Sequence, residues 1–403
     1  MSNMNKIIGA IEIGTSKVKV LLGEITERDI INVVGFGVVE SKGVKKGEVV
    51  NFKEASEQVH LAIDMAEKSA GAKIEEVYLS MTGSHLRGSF NLGSARVSSA
   101  DNRVTKSDVR RTIDEAKRKE LPKDRIYVHF IQNPFQLDKR PVDDPLDLEG
   151  SMLEVGYWSV DGDEKVVKDL LHVVNGYGLE VGHVIVSSLA SGEISTTRAD
   201  RKAGALVIDF GAGTTDYVLY RDGCAAKTGV VPLGGDHITN DVSMGLRVDG
   251  RHAESLKKEH GRALSETNDD DERVWLFGNK TIGDRTVPRK AIRQVIAARV
   301  EEILQLLTDE LYECLEPENI RSGVHLTGGG ALLPGIVEAA TSSLGIPAKR
   351  VELPKGIMEE LRDLEFSTVL GLLHYGLTGQ PLEKNYPHGN GGFVGTLAKM
   401  FTR

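Results

Sequence analysis

Two short segments of the 403-residue chain combine glycines, hydroxyls and a carboxylate in the way phosphate chemistry requires. In the first, Gly14, Thr15, Ser16 and Lys17 follow the apolar run Ile7 to Ile13, which carries Glu12 near its end. In the second, Gly211, Gly213, Thr214 and Thr215 follow Ala205 to Phe210, which carries Asp209 in the matching place. Successive backbone N–H groups in a glycine turn form an anion-binding nest, because no Cβ holds the ligand away. Lys17 adds a cation, and two such nests suit a polyphosphate. Carboxylates beside phosphate oxygens repel them unless Mg2+ lies between. Glu12 and Asp209 are therefore the candidate catalytic and metal-linked acids, holding the ion through its waters.

A third glycine turn, Gly328-Gly329-Gly330, follows Leu326-Thr327 and offers flat backbone to a sugar and base; taken alone, it equally suits a tight strand-to-helix connection. Gly234 and Gly235, with Glu254 and Lys257 one helical turn apart, present polar groups to a ribose or base edge, or else form a plain surface ion pair. The chain has no GxxxxGKS or GxxxxGKT string, no HExxH and no GxSxG, and Asp216 stands where a third glycine would complete GxGxxG after Gly211 and Gly213. His85, His237 and His325 stand alone and read as satisfied core or surface histidines.

Both phosphate turns need strands to hold them. Ile7 to Ile13 is β-branched and apolar, and Val18, Val20 and Leu22 alternate with polar or small residues, which predicts an opening β-hairpin. Ala205 to Phe210 and Tyr217 to Tyr220 repeat that design, so two duplicated α/β lobes facing each other are expected. Phe52 to Ala70 has helical spacing and leads into a strand at Glu76 to Met81. Residues 84 to 163 read as an inserted α+β domain, with strands at His85 to Val97, Ile126 to Leu137 and Met152 to Val160 around one polar helix, Val104 to Lys119. Further helices are expected at Val166 to Tyr177, Gly234 to Met244, Ala253 to Gly261 and Ser367 to Gly376, and strands at Val181 to Ser187 and Gly323 to Thr327. Pro288 introduces a long helix with the apolar stripe Ile292, Val295, Ile296, Val300, Ile303, Leu306, Leu307 and Leu311. Leu264 to Glu272 reads as an acidic loop.

Composition narrows the classes. Fifty Lys and Arg against 59 Asp and Glu give a net charge of −9, which repels phosphate backbones at long range, so nucleic acid is not an expected partner. Cys224 and Cys314 are the only cysteines, too few for a disulfide scaffold or a structural zinc site. No apolar run approaches the roughly 20 residues that span a bilayer. Glu12 interrupts the run after Met1 to Lys6 before a secretory h-region forms, so no leader is expected.

The strings Ile11-Glu12-Ile13-Gly14-Thr15-Ser16-Lys17, Ile208-Asp209-Phe210-Gly211-Ala212-Gly213-Thr214-Thr215-Asp216 and Leu326-Thr327-Gly328-Gly329-Gly330 resemble, in order and spacing, the phosphate-1, phosphate-2 and adenosine motifs of the actin, Hsp70 and sugar kinase superfamily. Leu79 to His85, Ser188-Leu189-Ala190-Ser191, Ala253-Glu254 with Lys257, and Ser367 to Gly376 are similar to the FtsA family of actin-like bacterial cell-division proteins. That resemblance covers nearly all of residues 6 to 403. It implies an actin-like ATPase fold with subdomain 1A at 1–83 and 164–200, an inserted subdomain 1C at 84–163, 2A at 201–230 and 311–378, and 2B at 231–310. It also implies MgATP bound by the residues named above. Glu12 departs from the Asp common in the superfamily, and its extra methylene shifts a metal-linked carboxylate, which predicts slow hydrolysis.

The resemblance further implies self-association into filaments, docking of the FtsZ C-terminal peptide on 2B, and other division proteins on 1C. Arg289 and Arg299 are the candidate cationic contacts for that peptide. Residues 379 to 392 are rich in Gly, Pro and Asn and read as a linker. Beyond it, Phe393, Val394, Leu397, Met400 and Phe401 fall on one face of a helix wound at about 100° per residue, with Lys399 and Arg403 on the other. Such a cationic amphipathic segment predicts an interfacial helix on an anionic membrane. The expected location is the cytoplasmic face of the cytoplasmic membrane at the division site. Two competitors remain: a soluble metabolite kinase of the same superfamily, and a pilus-assembly actin homologue of the PilM type, which shares the ATP motifs.

Overall fold

The computed structural model describes residues 6–24, 31–264, 272–276 and 283–378. The opening hairpin forms as expected: β1 (Ile7–Ile13) pairs antiparallel with β2 (Lys17–Glu24), which pairs with β3 (Asn32–Glu40). A small hairpin, β4 (Val44–Lys45) and β5 (Glu48–Val49), leads to α1 (Phe52–Ala70). The Asn51 side chain caps that helix, Gly71 ends it in the left-handed region at φ 64°, and Ala55, Val59, Ala62, Ile63 and Ala66 are buried. From there the chain enters β6 (Glu76–Met81), parallel to β1.

The insertion interrupts the crossover that follows β6. Its strands β7 (Arg87–Arg96), β8 (Arg125–Leu137), β9 (Arg140–Val142) and β10 (Met152–Asp163) make an antiparallel sheet in the order β7-β10-β8-β9. The helix α2 (Lys106–Ala116) covers it, shorter than the 104–119 reading because Thr105 and Asp108 form a capping box that starts it. Val109, Ile113 and Ala116 join Phe135, Leu153 and Tyr157 in a core separate from the rest. The main sheet resumes through α3 (Glu164–Asn175) and β11 (Val181–Val186), giving the order β11-β6-β1-β2-β3. Two helices unread in the sequence follow, α4 (Ser187–Ser195) and α5 (Arg198–Ala203).

The second lobe repeats the first. Strands β12 (Ala205–Phe210), β13 (Thr215–Arg221) and β14 (Cys224–Val231) are successive antiparallel neighbours. The helices α6 (Gly235–Leu246) and α7 (Gly250–His260), the hairpin β15 (Arg273–Leu276) and β16 (Arg285–Pro288), and α8 (Arg289–Leu311) intervene. The sheet ends with β17 (Val324–Thr327), α9 (Ile336–Leu344) and β18 (Ala348–Arg350), in the order β14-β13-β12-β17-β18. Three antiparallel strands followed by two parallel ones is the pattern of the first sheet, so the duplication is visible in the pairing itself.

Two expectations need correction. On α8 the buried stripe is Ile292, Ile296, Val300, Ile303, Leu304, Leu307 and Leu311, whereas Leu306 is exposed, because the turn of the helix brings Leu304 under the sheet instead. The last helix, α10 (Ser367–Thr378), falls within the expected 2A range yet packs on β1, β2 and β6 of the first lobe and on α4. Its Val369, Leu370, Leu372 and Leu373 are buried in the first lobe's core, which is where their apolar surface leaves water. The acidic loop at 265–271, the linker 379–392 and the amphipathic segment 393–403, with Phe393, Val394, Leu397, Lys399, Met400, Phe401 and Arg403, lie outside the described residues.

Candidate functional site

The two hairpins present their turns in the same way. Gly14 N–H donates to the Lys17 carbonyl at 3.0 Å, and Gly211 N–H donates to the Thr214 carbonyl at 3.0 Å. The turns also meet. A Cβ placed on Gly213 would lie 2.2 Å from Thr15 Oγ1, so only a glycine permits the approach. The β4–β5 hairpin closes one side, with Lys46 N–H donating to Thr15 Oγ1 at 3.0 Å. The third glycine turn reaches the same place: Gly328 has φ +81°, and a Cβ there would lie 2.2 Å from Asp209 Oδ1.

The second lobe's first helix starts against this assembly. Gly235 N–H donates to the Gly211 carbonyl at 3.0 Å, and a Cβ on Gly234 would lie 2.5 Å from that oxygen. Lys257 Nζ donates to the Gly235 carbonyl at 3.1 Å and to Thr239 Oγ1 at 2.9 Å, and pairs with Glu254 at 2.6 Å. Thr239 also donates to the Glu254 carboxylate. Burial raises the Glu254 carboxyl, but the hydrogen bonds from Lys257 and Thr239 outweigh it and leave the group below its ordinary value. The sequence-predicted residues Gly14 to Lys17, Gly211 to Thr215, Gly234, Gly235, Glu254, Lys257 and Gly328 to Gly330 are thus brought to one region by three turns and two helices.

Strand register places the acids. Glu12 faces Lys19 across the first hairpin, and Asp209 faces Asp216 across the second. Lys19 pairs with Glu12 at 2.9 Å, both largely buried, while Glu12 Oε2 has no hydrogen-bond partner among the described residues. Asp209 accepts from Thr368 Oγ1 of α10 at 2.8 Å. Asp216 accepts from Thr214 Oγ1 at 2.8 Å and, across the lobes, from Thr82 Oγ1 at 2.5 Å. Burial pushes all three carboxyls up, Asp216 to about 7, and the three repel one another. Thr82 and Asp216 fall within the motifs read from the sequence, but neither they nor Lys19 stand among the expected site residues. The available signals were a charge inside the largely apolar strands β2 and β13 and a hydroxyl directly after β6.

This constellation fits a magnesium nucleotide on two observations. An orphaned buried carboxylate oxygen points to a missing cationic partner, and the glycine cradles would be filled by any side chain. Among the described residues no three His, Cys, Asp or Glu side chains converge as a metal cage. The acids therefore act with phosphate oxygens and water if Mg2+ binds.

Comparison with known proteins decides the family. The model of "Cell division protein FtsA" matches residues 206–371, and that of the "SHS2 domain inserted in FTSA" matches residues 83–160, the inserted sheet. The chain is 32% identical to the cell division protein FtsA of Pseudomonas aeruginosa over 93% of its own length and 90% of that protein's. It is also 32% identical to that of Bacillus subtilis, over 93% and 84%. The chain belongs to the FtsA family. Among solved structures, it resembles the PilM-PilN type IV pilus biogenesis complex, with TM-score 0.62, 19% identity and coverage of 93% of this chain and 99% of that one. MreB 5 of Spiroplasma citri bound to AMPPNP has TM-score 0.57 and 15% identity, over 93% and 96%. These distant likenesses carry the actin-like fold alone.

The arginines expected to meet an FtsA partner are engaged within the chain. Arg299 grips Asp241 with Nε at 2.6 Å and Nη2 at 3.1 Å, and also donates to Glu302. Arg289, the first residue of α8, pairs with Glu272. His325 is a satisfied core histidine, held by Ser322 and the Ser195 carbonyl. His237 Nδ1 accepts from Gly234 N–H at 3.0 Å and so fixes the start of α6.

Proposed function

We propose that this FtsA-family chain binds MgATP where its glycine turns meet, polymerises, and tethers the FtsZ ring to the cytoplasmic face of the membrane at the division site. The observation that carries the reading is the meeting of the Gly14–Lys17 and Gly211–Thr215 turns over buried Glu12, Asp209 and Asp216. In this reading Gly14, Thr15, Ser16 and Lys17 hold one side of the phosphates, and Gly211, Gly213, Thr214 and Thr215 hold the other. Glu254 and Lys257 face the ribose or base edge, which lies along Gly328, Gly329 and Gly330. Mg2+, when bound, neutralises phosphate charge, and Glu12 and Asp209 orient its waters. Lys19, paired with Glu12, opposes the rise that burial imposes on that carboxyl.

The tail supplies attachment. Five apolar side chains at roughly 1.5 to 3 kcal/mol each when fully buried set an upper bound that half-burial and helix nucleation reduce. One tail therefore binds reversibly. Many tails on one filament insert intramolecularly after the first, which raises avidity by roughly 10² to 10⁴. FtsZ's C-terminal peptide docks on 2B in this reading, with Arg289 and Arg299 exchanging Glu272 and Asp241 for the peptide's acids; other division proteins meet the inserted domain. The test is liposome co-sedimentation of the full chain and a chain ending at Gly389, with and without MgATP. The full chain should pellet, more strongly with MgATP, and the shortened chain should not. If both stay soluble, the membrane role fails.

A further inference from the structure

The cation of the first phosphate turn already has a partner. Lys17 Nζ donates to both carboxylate oxygens of Glu365, at 2.8 and 2.7 Å. Lys19 donates to the Glu365 carbonyl as well as to Glu12. Glu365 sits in the single 3-10 turn Leu364–Phe366 just ahead of α10, its N–H held by the Asp363 carboxylate at 2.9 Å. Its Cβ lies 3.8 Å from where a side chain on Gly329 would begin. The acid therefore reaches from the third glycine turn to the first, across the region that the nucleotide needs. The side chains of Lys17 and Glu365 are 40% and 29% exposed, so solute anions can reach the pair.

A carboxylate that holds a phosphate-turn lysine through both oxygens presents the charge pattern of a phosphate with fewer charges. We propose that Glu365 is an internal counter-ion that competes with the nucleotide's phosphates for Lys17 and thereby sets the affinity of the site. The inference rests on the reading that the paired turns hold a nucleotide. A triphosphate brings more negative charge to Lys17 than one carboxylate does, and it repels Glu365. Binding thus exchanges one ion pair for another. Because the pair is part exposed, the exchange weakens affinity by a few fold rather than abolishing it.

Glu365→Gln keeps the size of the side chain and removes its charge. The full-length parent and variant are titrated against a fluorescent ATP analogue with Mg2+, at low and high salt. The variant should bind about threefold to tenfold more tightly at low salt, with a smaller gain at high salt, as a screened charge requires. In a Lys17→Gln background the same substitution should yield a clearly smaller gain. Equal or weaker binding by the variant, with the parent binding normally, overturns the counter-ion; weaker binding would make Glu365 a direct nucleotide contact. An undiminished gain in the Lys17→Gln background overturns it as well. Absence of binding by both proteins overturns the nucleotide reading, and this inference with it.

Discussion

Burial disfavours the ionisation of Asp216, and Asp216→Asn separates its charge from its shape. The carboxyl is 4% exposed and is raised from 3.8 to about 7 by burial, opposed by the Thr82 and Thr214 hydroxyls and reinforced by Asp209 and Glu12. Between about pH 4 and pH 7 the folded protein therefore holds a proton that the unfolded chain has released. This contribution to stability is complete below the unfolded value and is lost as pH rises through the folded one. At about 1.4 kcal/mol per pH unit the window is worth at most about 4 kcal/mol, and relaxation around the ion reduces that to about 1 to 2 kcal/mol. Asn keeps the shape and never ionises. The melting temperature of the variant relative to the parent should therefore be higher at pH 8 than at pH 5 by at least about 2 °C, read by thermal denaturation without nucleotide. Every other titrating group is common to both proteins, and Glu12 and Asp209, relieved of repulsion from the Asp216 charge, shift the difference in the same direction. An offset that is the same at both pH values, or lower at pH 8, would refute the reasoning.

Three further substitutions probe the assembly. Gly213→Ala places a Cβ 2.2 Å from Thr15 Oγ1 and forces the two glycine turns apart, so under the proposed function MgATP affinity should fall at least about tenfold with the far-UV spectrum unchanged; full affinity would mean the turns do not share a ligand. Gly371→Ala places a Cβ 1.8 Å from the Ala190 carbonyl oxygen, where α10 meets α4, and should destabilise the protein by about 1 to 3 kcal/mol in urea titration. Trp158→Phe removes the indole donor to Thr228 Oγ1 at 2.9 Å, the contact by which the inserted sheet grips β14, and should lose about 1 kcal/mol. Hydrogen exchange would then show faster opening of the inserted sheet, and unchanged protection would argue against that contact.

The glycine motifs and the strands that carry them could be read from the residues because their chemistry is local. An apolar β-branched run, a turn that excludes Cβ and an alternating run declare a hairpin within about 15 residues, as Ile7–Ile13 and Ala205–Phe210 do. The range of α1 was legible from the helical spacing of Phe52 to Ala70, and the structure adds Asn51 and Gly71 as its caps. What stayed hidden depends on distance along the chain. Lys17 reads as a free phosphate contact until Glu365, 348 residues away, is seen to hold it. The surroundings of Asp216 stay hidden until strand pairing sets it opposite Asp209 and the fold brings Thr82 to it. The small residues of α4, Ser188, Ala190, Ser191 and Gly192, carry no amphipathic stripe because the helix is buried on every side.

Those buried helices explain how the site is tied to the rest of the molecule. The helix α4 follows the first sheet yet packs on β12 and β13 of the second, while α10 follows the second sheet and packs on β1 and β2 of the first. The lobes are therefore joined by two crossed helices, in contact where Gly371 meets Ala190. Next to that crossing, Glu193 of α4 takes Arg201 of α5 at 2.5 Å and His374 of α10 at 3.3 Å, a largely buried network that links all three helices. The first turn of α10 reaches the candidate site, since Ser367 shares a hydrogen bond with Thr327 at 2.6 Å and Thr368 holds Asp209. The helix runs to Thr378, the last described residue, and in sequence the proposed anchor lies beyond it. Coupling between sites travels through packed, rigid elements, and α10 is a packed helix whose first turn touches Asp209 of the candidate site. A ligand that changes the charge around Asp209 acts beside the first turn of α10, which the Thr368 hydroxyl joins to that acid.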